Sequence, residues 1–306
     1  MPDFAELASV SRLGKFNMGF GRSYSFVTAG VALLVAVSVA RSWAAAEDTK
    51  QLDSRLLNIE QCNGSDHKTP ESQIAGCTAL INGPHETALV LAVAYNNRGN
   101  AYSATGDYDR AIADYDLAIK FNPAYEKPFN NRGIAYQKKG DYDRAIEDFD
   151  QAIKLDADYG LAFANRAQTY QKKSNFVRAA QDYDAAIRLE PKLEAIWNGR
   201  CWVRAILGQL QAALEDCNTA LLLKSDDAAA YDSRGLIHLK MGEFASAIDD
   251  YTAALRIDPK LASSFYGRGL ARIKKGDVAA GNSDLAAAKG LEANVADLFS
   301  HYGVAR

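Results

Sequence analysis

Between residues 92 and 125 the apolar positions follow a helical rhythm. Ala111, Ile112, Tyr115, Ala118 and Ile119 stand at i, i+1, i+4, i+7 and i+8, which is one apolar stripe of a helix. Tyr95, Gly99 and Tyr102 form a second stripe upstream. Between the stripes lies Ala104-Thr105-Gly106-Asp107, where Gly106 suits the left-handed close of the first helix and Asp107 the N-terminal cap of the second. The pattern predicts two antiparallel helices joined by a tight turn. Such a hairpin cannot bury both stripes by itself, so neighbours must stack on it.

The neighbours are in the sequence. The stretch recurs from Glu126, Gly160, Glu194, Ala228 and Ala262, each copy starting 34 residues after the last with no insertion or deletion. A fixed period of this size marks a stacked array. The fourth place holds Tyr95, Phe129, Phe163, Trp197, Tyr231 and Phe265; the eighth holds Gly99, Gly133, Ala167, Cys201, Gly235 and Gly269. The twentieth is Ala or Gly (Ala111 to Gly281), the twenty-seventh is Ala throughout (Ala118 to Ala288), and Pro123, Pro191 and Pro259 close three copies. Small residues at places eight, twenty and twenty-seven let the paired helices approach closely.

Aromatic, Gly/Ala, Ala, aromatic, Ala and Pro at these offsets resemble the tetratricopeptide repeat (TPR) family, over residues 92–295. The resemblance implies an all-α fold, a right-handed superhelical solenoid of antiparallel helix pairs, and a general role in protein binding. In such folds the first helix of each hairpin lines the concave surface. Its exposed places in this chain give an amide-rich N-terminal half, with Asn96, Asn97, Asn100, Asn130, Asn131, Gln137, Asn165, Gln168 and Gln171. Amides donate and accept, so such a row suits the backbone of an extended peptide. The C-terminal half is more apolar, with Trp202, Leu236, Leu239, Leu270 and Ile273, which suggests a hydrophobic contact. Lys138, Lys172, Lys240 and Lys274 recur at the groove's far edge. The expected partner-binding set is Asn96, Asn97, Asn100, Asn130, Asn131, Asn165, Gln168, Trp202, Leu236 and Leu270. The Lys/Asn/Arg clamp by which some TPR proteins hold chaperone C-termini is only partly present: Asn100 matches, but Asn96 stands where Lys belongs, and the next copy offers Lys127 and Asn131.

Two charged columns depart from the commoner TPR pattern. Place seven is Arg in every copy (Arg98, Arg132, Arg166, Arg200, Arg234, Arg268) and place twenty-three is Asp in every copy (Asp114, Asp148, Asp182, Asp216, Asp250, Asp284). Their joint recurrence predicts a ladder of ion pairs within or between hairpins, because partly buried charges are normally paired.

Outside the array, Arg12, Lys15 and Arg22 precede the apolar run Phe26–Ala40, and Ala44-Ala45-Ala46 follows. This is the layout of a secretory signal peptide cleaved after Ala46, with Met18 as a possible start; an uncleaved anchor helix is the alternative. Losing residues 1–46 removes four basic and two acidic residues, so the net charge goes from −3 to −5. No basic stripe is left for nucleic acid. Export places Cys62, Cys77, Cys201 and Cys217 in an oxidising compartment. Cys201 and Cys217 occupy places eight and twenty-four of one hairpin, on its mutually packed faces, and Cys62 and Cys77 have nearly the same separation. The expected pairs are therefore Cys62–Cys77 and Cys201–Cys217, each closing a loop of about fifteen residues and contributing on the order of 3 kcal/mol; the alternative is two pairs of buried thiols.

The organisation expected is a signal peptide (1–46), a disulfide-stapled N-terminal helical cap (47–91), six repeats (92–295) and a C-terminal capping helix (296–306). No catalytic residues, metal ligands or cofactor are expected. The four His sit at no ligand spacing, and the unbroken period leaves no room for an inserted catalytic loop. The function expected is a periplasmic or secreted non-catalytic scaffold that holds a protein or peptide segment in the concave groove, meeting membrane only through its signal segment. The competing readings are a membrane-tethered adaptor and a small-molecule or cell-wall glycan binder using Trp202 as a stacking platform.

Overall fold

A computed structural model describes residues 47, 49–64, 69–84 and 86–304. The expected signal peptide, 1–46, lies outside the described residues. The chain divides into two units, Met1–Leu57 and Asn58–Arg306. In the first, residues 49–57 are helical and Leu52, Leu56 and Leu57 are exposed. The second unit carries everything below.

It begins with helical residues 58–63 (α1) and α2, Pro70–Ile81. Pro70 opens α2 at a position whose amide has no helical partner, and Thr69 caps it by accepting from Ser72 N–H. Gly76 lets α2 lie against α1, where a Cβ would meet Gln61 Cβ at 2.4 Å. Cys62 and Cys77 are disulfide-bonded across this contact, with Cα atoms 4.5 Å apart.

Six hairpins follow in strict register. Their first helices are α3 (Ala88–Ala104), α5 (Glu126–Lys138), α7 (Gly160–Lys172), α9 (Glu194–Ile206), α11 (Ala228–Met241) and α13 (Ala262–Lys274). Their second helices are α4 (Tyr108–Phe121), α6 (Tyr142–Leu155), α8 (Phe176–Leu189), α10 (Leu210–Leu223), α12 (Phe244–Ile257) and α14 (Val278–Leu291). A short helix, α15 (Val295–His301), ends the described fold. The turns are built as the pattern predicts: Gly106 is left-handed at φ +80°, and Asp107 Oδ1 accepts from Arg110 N–H at 3.1 Å. The alanines of places twenty and twenty-seven are fully buried in copies one to five.

Each hairpin is filled by its place-twenty-four side chain lying over place eight. Tyr115 rests on Gly99, where a Cβ would come within 2.6 Å of its ring. In copy four the disulfide Cys201–Cys217 stands in place of that glycine–aromatic contact, with Cα atoms 5.4 Å apart. Both expected cysteine pairings are thus present.

The Arg and Asp columns form the predicted ladder, and it is wider than predicted. Arg132 Nε donates to Asp148 Oδ2 at 2.9 Å within its own hairpin, and its Nη1 pairs with Asp116 of the preceding one. Arg166 joins Asp182 and Asp150 in the same way, and Arg200 joins Asp216 and Asp184. Burial opposes the charge on Arg132, but the two carboxylates outweigh it and its pKa is raised. The six place-twenty-three aspartates are all buried, and all are paired.

The backbones of successive first helices approach within 8 Å between Cα atoms along the stack, whereas those of successive second helices do not. The first helices are therefore crowded on the inner side of the curve, where the repeat pattern places the concave surface.

Candidate functional site: the inner groove

The N-terminal half of the inner face is a hydrogen-bonded ladder of amides. Asn131 Nδ2 donates to Asn96 Oδ1 and to Asn100 Oδ1, both at 3.0 Å. Asn165 Nδ2 donates to Asn130 Oδ1 at 2.9 Å, and Asn97 Nδ2 reaches Asn63 Oδ1 at 3.4 Å. Within a helix, Asn96 donates to Asn97 and Asn130 to Asn131, each at 3.2 Å. Asn96 and Asn130 are only 3% exposed, which corrects the expectation that they line an open surface. Adjacent first helices lie close enough for place five of one copy to be covered by place six of the next. Asn97, Asn131 and Asn165 are partly covered, and Asn100 and Gln168 are exposed.

The C-terminal half is closed by the chain's own end. Leu236 is 3% exposed and Leu270 is 1%, so they too leave the expected open surface. They belong to one apolar cluster with Leu239, Tyr266, Val295 and Phe299, against which Trp202, Tyr302 and Val304 pack. The Tyr302 ring meets Trp202 edge-on at 5.2 Å, and Phe176 meets the same indole at 5.8 Å. Lys240, expected at a solvated edge, donates to the carbonyls of Ala205 and Tyr302, both at 2.8 Å, and desolvation lowers its pKa. The sequence signal for this was the spacing Val295, Leu298, Phe299, Tyr302, which reads as a packing face; its destination is not written in that spacing.

Between the ladder and the covered end lies an open groove of about 610 Å³, lined from α5, α7, α9 and α11. Lys138, Gln168 and Lys172 form one end, and Trp202, Asn198 and Asp232 the other. Lys224 faces Glu194 on its rim at 3.7 Å. Asp232 and Asn198 were not singled out in the repeat pattern. Asp232 accepts from Ser263 Oγ at 3.0 Å and Ser264 Oγ at 2.5 Å, and desolvation, opposed by those two hydroxyls, pushes its carboxyl up to about 6. Among the described residues no group of His, Cys, Asp or Glu is arranged to hold a metal ion.

Models of the tetratricopeptide repeat match residues 92–125 and 127–159, and a further TPR-repeat model matches residues 235–276. The chain carries tetratricopeptide repeats. A comparison with curated proteins finds no match. Among solved structures, this TPR chain is similar to a tetratricopeptide repeat protein from Parabacteroides merdae, at 18% identity and TM-score 0.61 over 82% of this chain and 100% of that one. It is similar to PilF of Pseudomonas aeruginosa, at 16% identity and TM-score 0.60 over 69% and 96%. It also resembles PilW, described as a widely conserved type IV pilus biogenesis factor, at 18% identity and TM-score 0.60 over 65% and 92%. These likenesses show a shared TPR fold, which generally serves as a non-catalytic scaffold for protein–protein interaction. No helix among the described residues is long and apolar enough to cross a membrane.

Proposed function

We propose that this TPR protein is a non-catalytic scaffold that holds a protein segment in its inner groove. The observation that carries the reading is the open stretch between the amide ladder and the covered C-terminal end. Its lining side chains Lys138, Gln168, Lys172 and Trp202 come from three successive repeats, and none is part of the Arg–Asp frame. Asn97, Asn100, Asn131 and Asn165 act mainly by holding these helices in register, and Asn100 and Gln168 offer exposed amides to a bound backbone. Phe176 and Tyr302 both pack against the Trp202 ring in edge-to-face geometry, which favours a side-chain contact over a free stacking platform for sugar. The two disulfides fit an oxidising compartment, and with the N-terminal basic–apolar–Ala pattern they support a periplasmic location.

The test is site-specific photo-crosslinking in periplasmic extract, with the crosslinker at Gln168 in the groove or at Leu222, which is 86% exposed on the second-helix side. A discrete protein joined at Gln168 and not at Leu222 is the expected result. The same products from both positions, or capture at Leu222 alone, overturn the groove.

A further inference from the structure

The ladder that stitches the first helices has a rule. Asn at place five accepts from Asn at place six of the next copy, as Asn96 does from Asn131 and Asn130 from Asn165. Copy four keeps the acceptor, Asn198, but the next copy has Ser233 where the donor belongs. Asn198 Oδ1 is buried and has no hydrogen-bond partner. Copy five goes further and carries a carboxylate, Asp232, at place five. Both side chains line the open groove.

Asp232 differs from the aspartates of the frame. Each of those has a guanidinium; Asp232 has two serine hydroxyls and, among the described residues, no cation in ion-pair reach. Asp232 is partly covered, and a carboxylate partly withdrawn from water without a cation is costly, in line with its raised pKa. The buried Tyr251 hydroxyl, also without a partner, lies within the field of Asp232. The lysines of the groove do not complete the site. Lys224 faces Glu194, and Lys138 and Lys172 are exposed on α5 and α7, toward the other end. Asp227, also on the lining, adds a second negative group on the α11 side.

We propose that the Asp232–Asn198 end of the groove seats a cationic side chain, a lysine ammonium or an arginine guanidinium, of the bound segment. This rests on the groove reading above. A group with several N–H donors and a positive charge supplies what this end lacks: a donor for Asn198 Oδ1 and a counter-charge for Asp232. An acidic side chain would meet a carboxylate and an acceptor. The opposite charges at the two ends of the groove also give the segment a direction.

The test titrates the full-length oxidised protein with N-acetyl-lysinamide, N-acetyl-argininamide and the uncharged N-acetyl-norleucinamide, followed by Trp fluorescence and calorimetry. The basic probes should bind about tenfold more tightly than the neutral one. Asp232→Asn, which keeps the shape and one serine contact while the other serine turns to accept, should remove that preference; Asn198→Ala should reduce it several-fold, and Lys154→Ala, exposed away from the groove, should leave it. Equal binding of the norleucine probe, or an unchanged preference in an Asp232→Asn variant that still unfolds cooperatively and no less stably than the wild type, overturns the proposal. If Gln168 still crosslinks a partner while the basic probes fail, the cation seat is wrong and the groove stands. An Asp232-dependent preference with no crosslink at Gln168 keeps the seat and removes the groove.

Discussion

The two halves of the array share one frame and use their inner faces in opposite ways. In copies one to three the polar groups at places five and six are consumed by one another, so the face is wet in composition yet largely self-satisfied. From copy four onward the amide pattern is broken, by Gly199 and Ser233 at place six and Asp232 at place five, and the apolar residues are closed over by α15 and the tail. What remains open is the seam between the two regimes. Inner-face composition alone therefore does not reveal where a repeat array can bind; what matters is which polar groups have already found partners.

If the frame is indifferent to the inner face, damage to it should outweigh any change in the groove. Arg132→Ala leaves Asp148 buried and alone, and should cost about 3–5 kcal/mol in urea unfolding, whereas Lys138→Ala should stay within about 0.5 kcal/mol. Equal melting temperatures would count against the ladder. Arg234→Ala should cost less than Arg132→Ala, because its second partner is the neutral Asn218.

A smaller effect of opposite sign is expected where the amide pattern turns acidic. The Asp232 carboxyl is raised from 3.8 to about 6 by folding, so the folded state keeps its proton longer than the unfolded chain. Stability from this group is full below pH 4, falls as pH rises through 6, and is lacking at neutral pH. Asp232→Asn should therefore stabilise the protein at pH 7.5 by at most about 3 kcal/mol, and by nothing near pH 3.5. Melting curves at the two pH values decide it; equal gains at both would mean that the charge is not the cause.

The smallest effect sharpens the N-terminal side of the comparison. Asn131→Ala removes the donor to Asn96 Oδ1 and Asn100 Oδ1 and the acceptor for Asn130, and should cost about 1–2 kcal/mol. Lys172→Ala, exposed in the groove, should cost nothing measurable in the same denaturation series.

Most of the frame was legible because it is local or periodic. Gly106 and Asp107 announce their turn, place eight and place twenty-four predict their contact and both Cys pairings, and the Arg and Asp columns predict each other. The second contact of each Arg, to the preceding hairpin, needed the packing of each first helix against the second helix before it. The burial of Asn96 and Asn130 needed the spacing between first helices, although the doublets Asn96-Asn97 and Asn130-Asn131 were a hint that places five and six work together. Leu236 and Leu270 were misjudged for a different reason: their cover arrives from residues 295–304, and nothing in the repeat period says where a terminal segment will fold.

The double grip of the place-seven arginines sets how the array comes apart. Arg132, Arg166 and Arg200 each hold a carboxylate of their own repeat and one of the repeat before. Opening any one of these repeats takes the arginine from a half-exposed carboxylate of the repeat before, which adds a modest ionic increment to the coupling that the packed helices already provide. Copies one to four then behave as one cooperative block, which ends where the second carboxylate is replaced by the neutral Asn218; the joint between copies five and six, at Thr252, is neutral in the same way. The weak joints of this chain are written into place twenty-five.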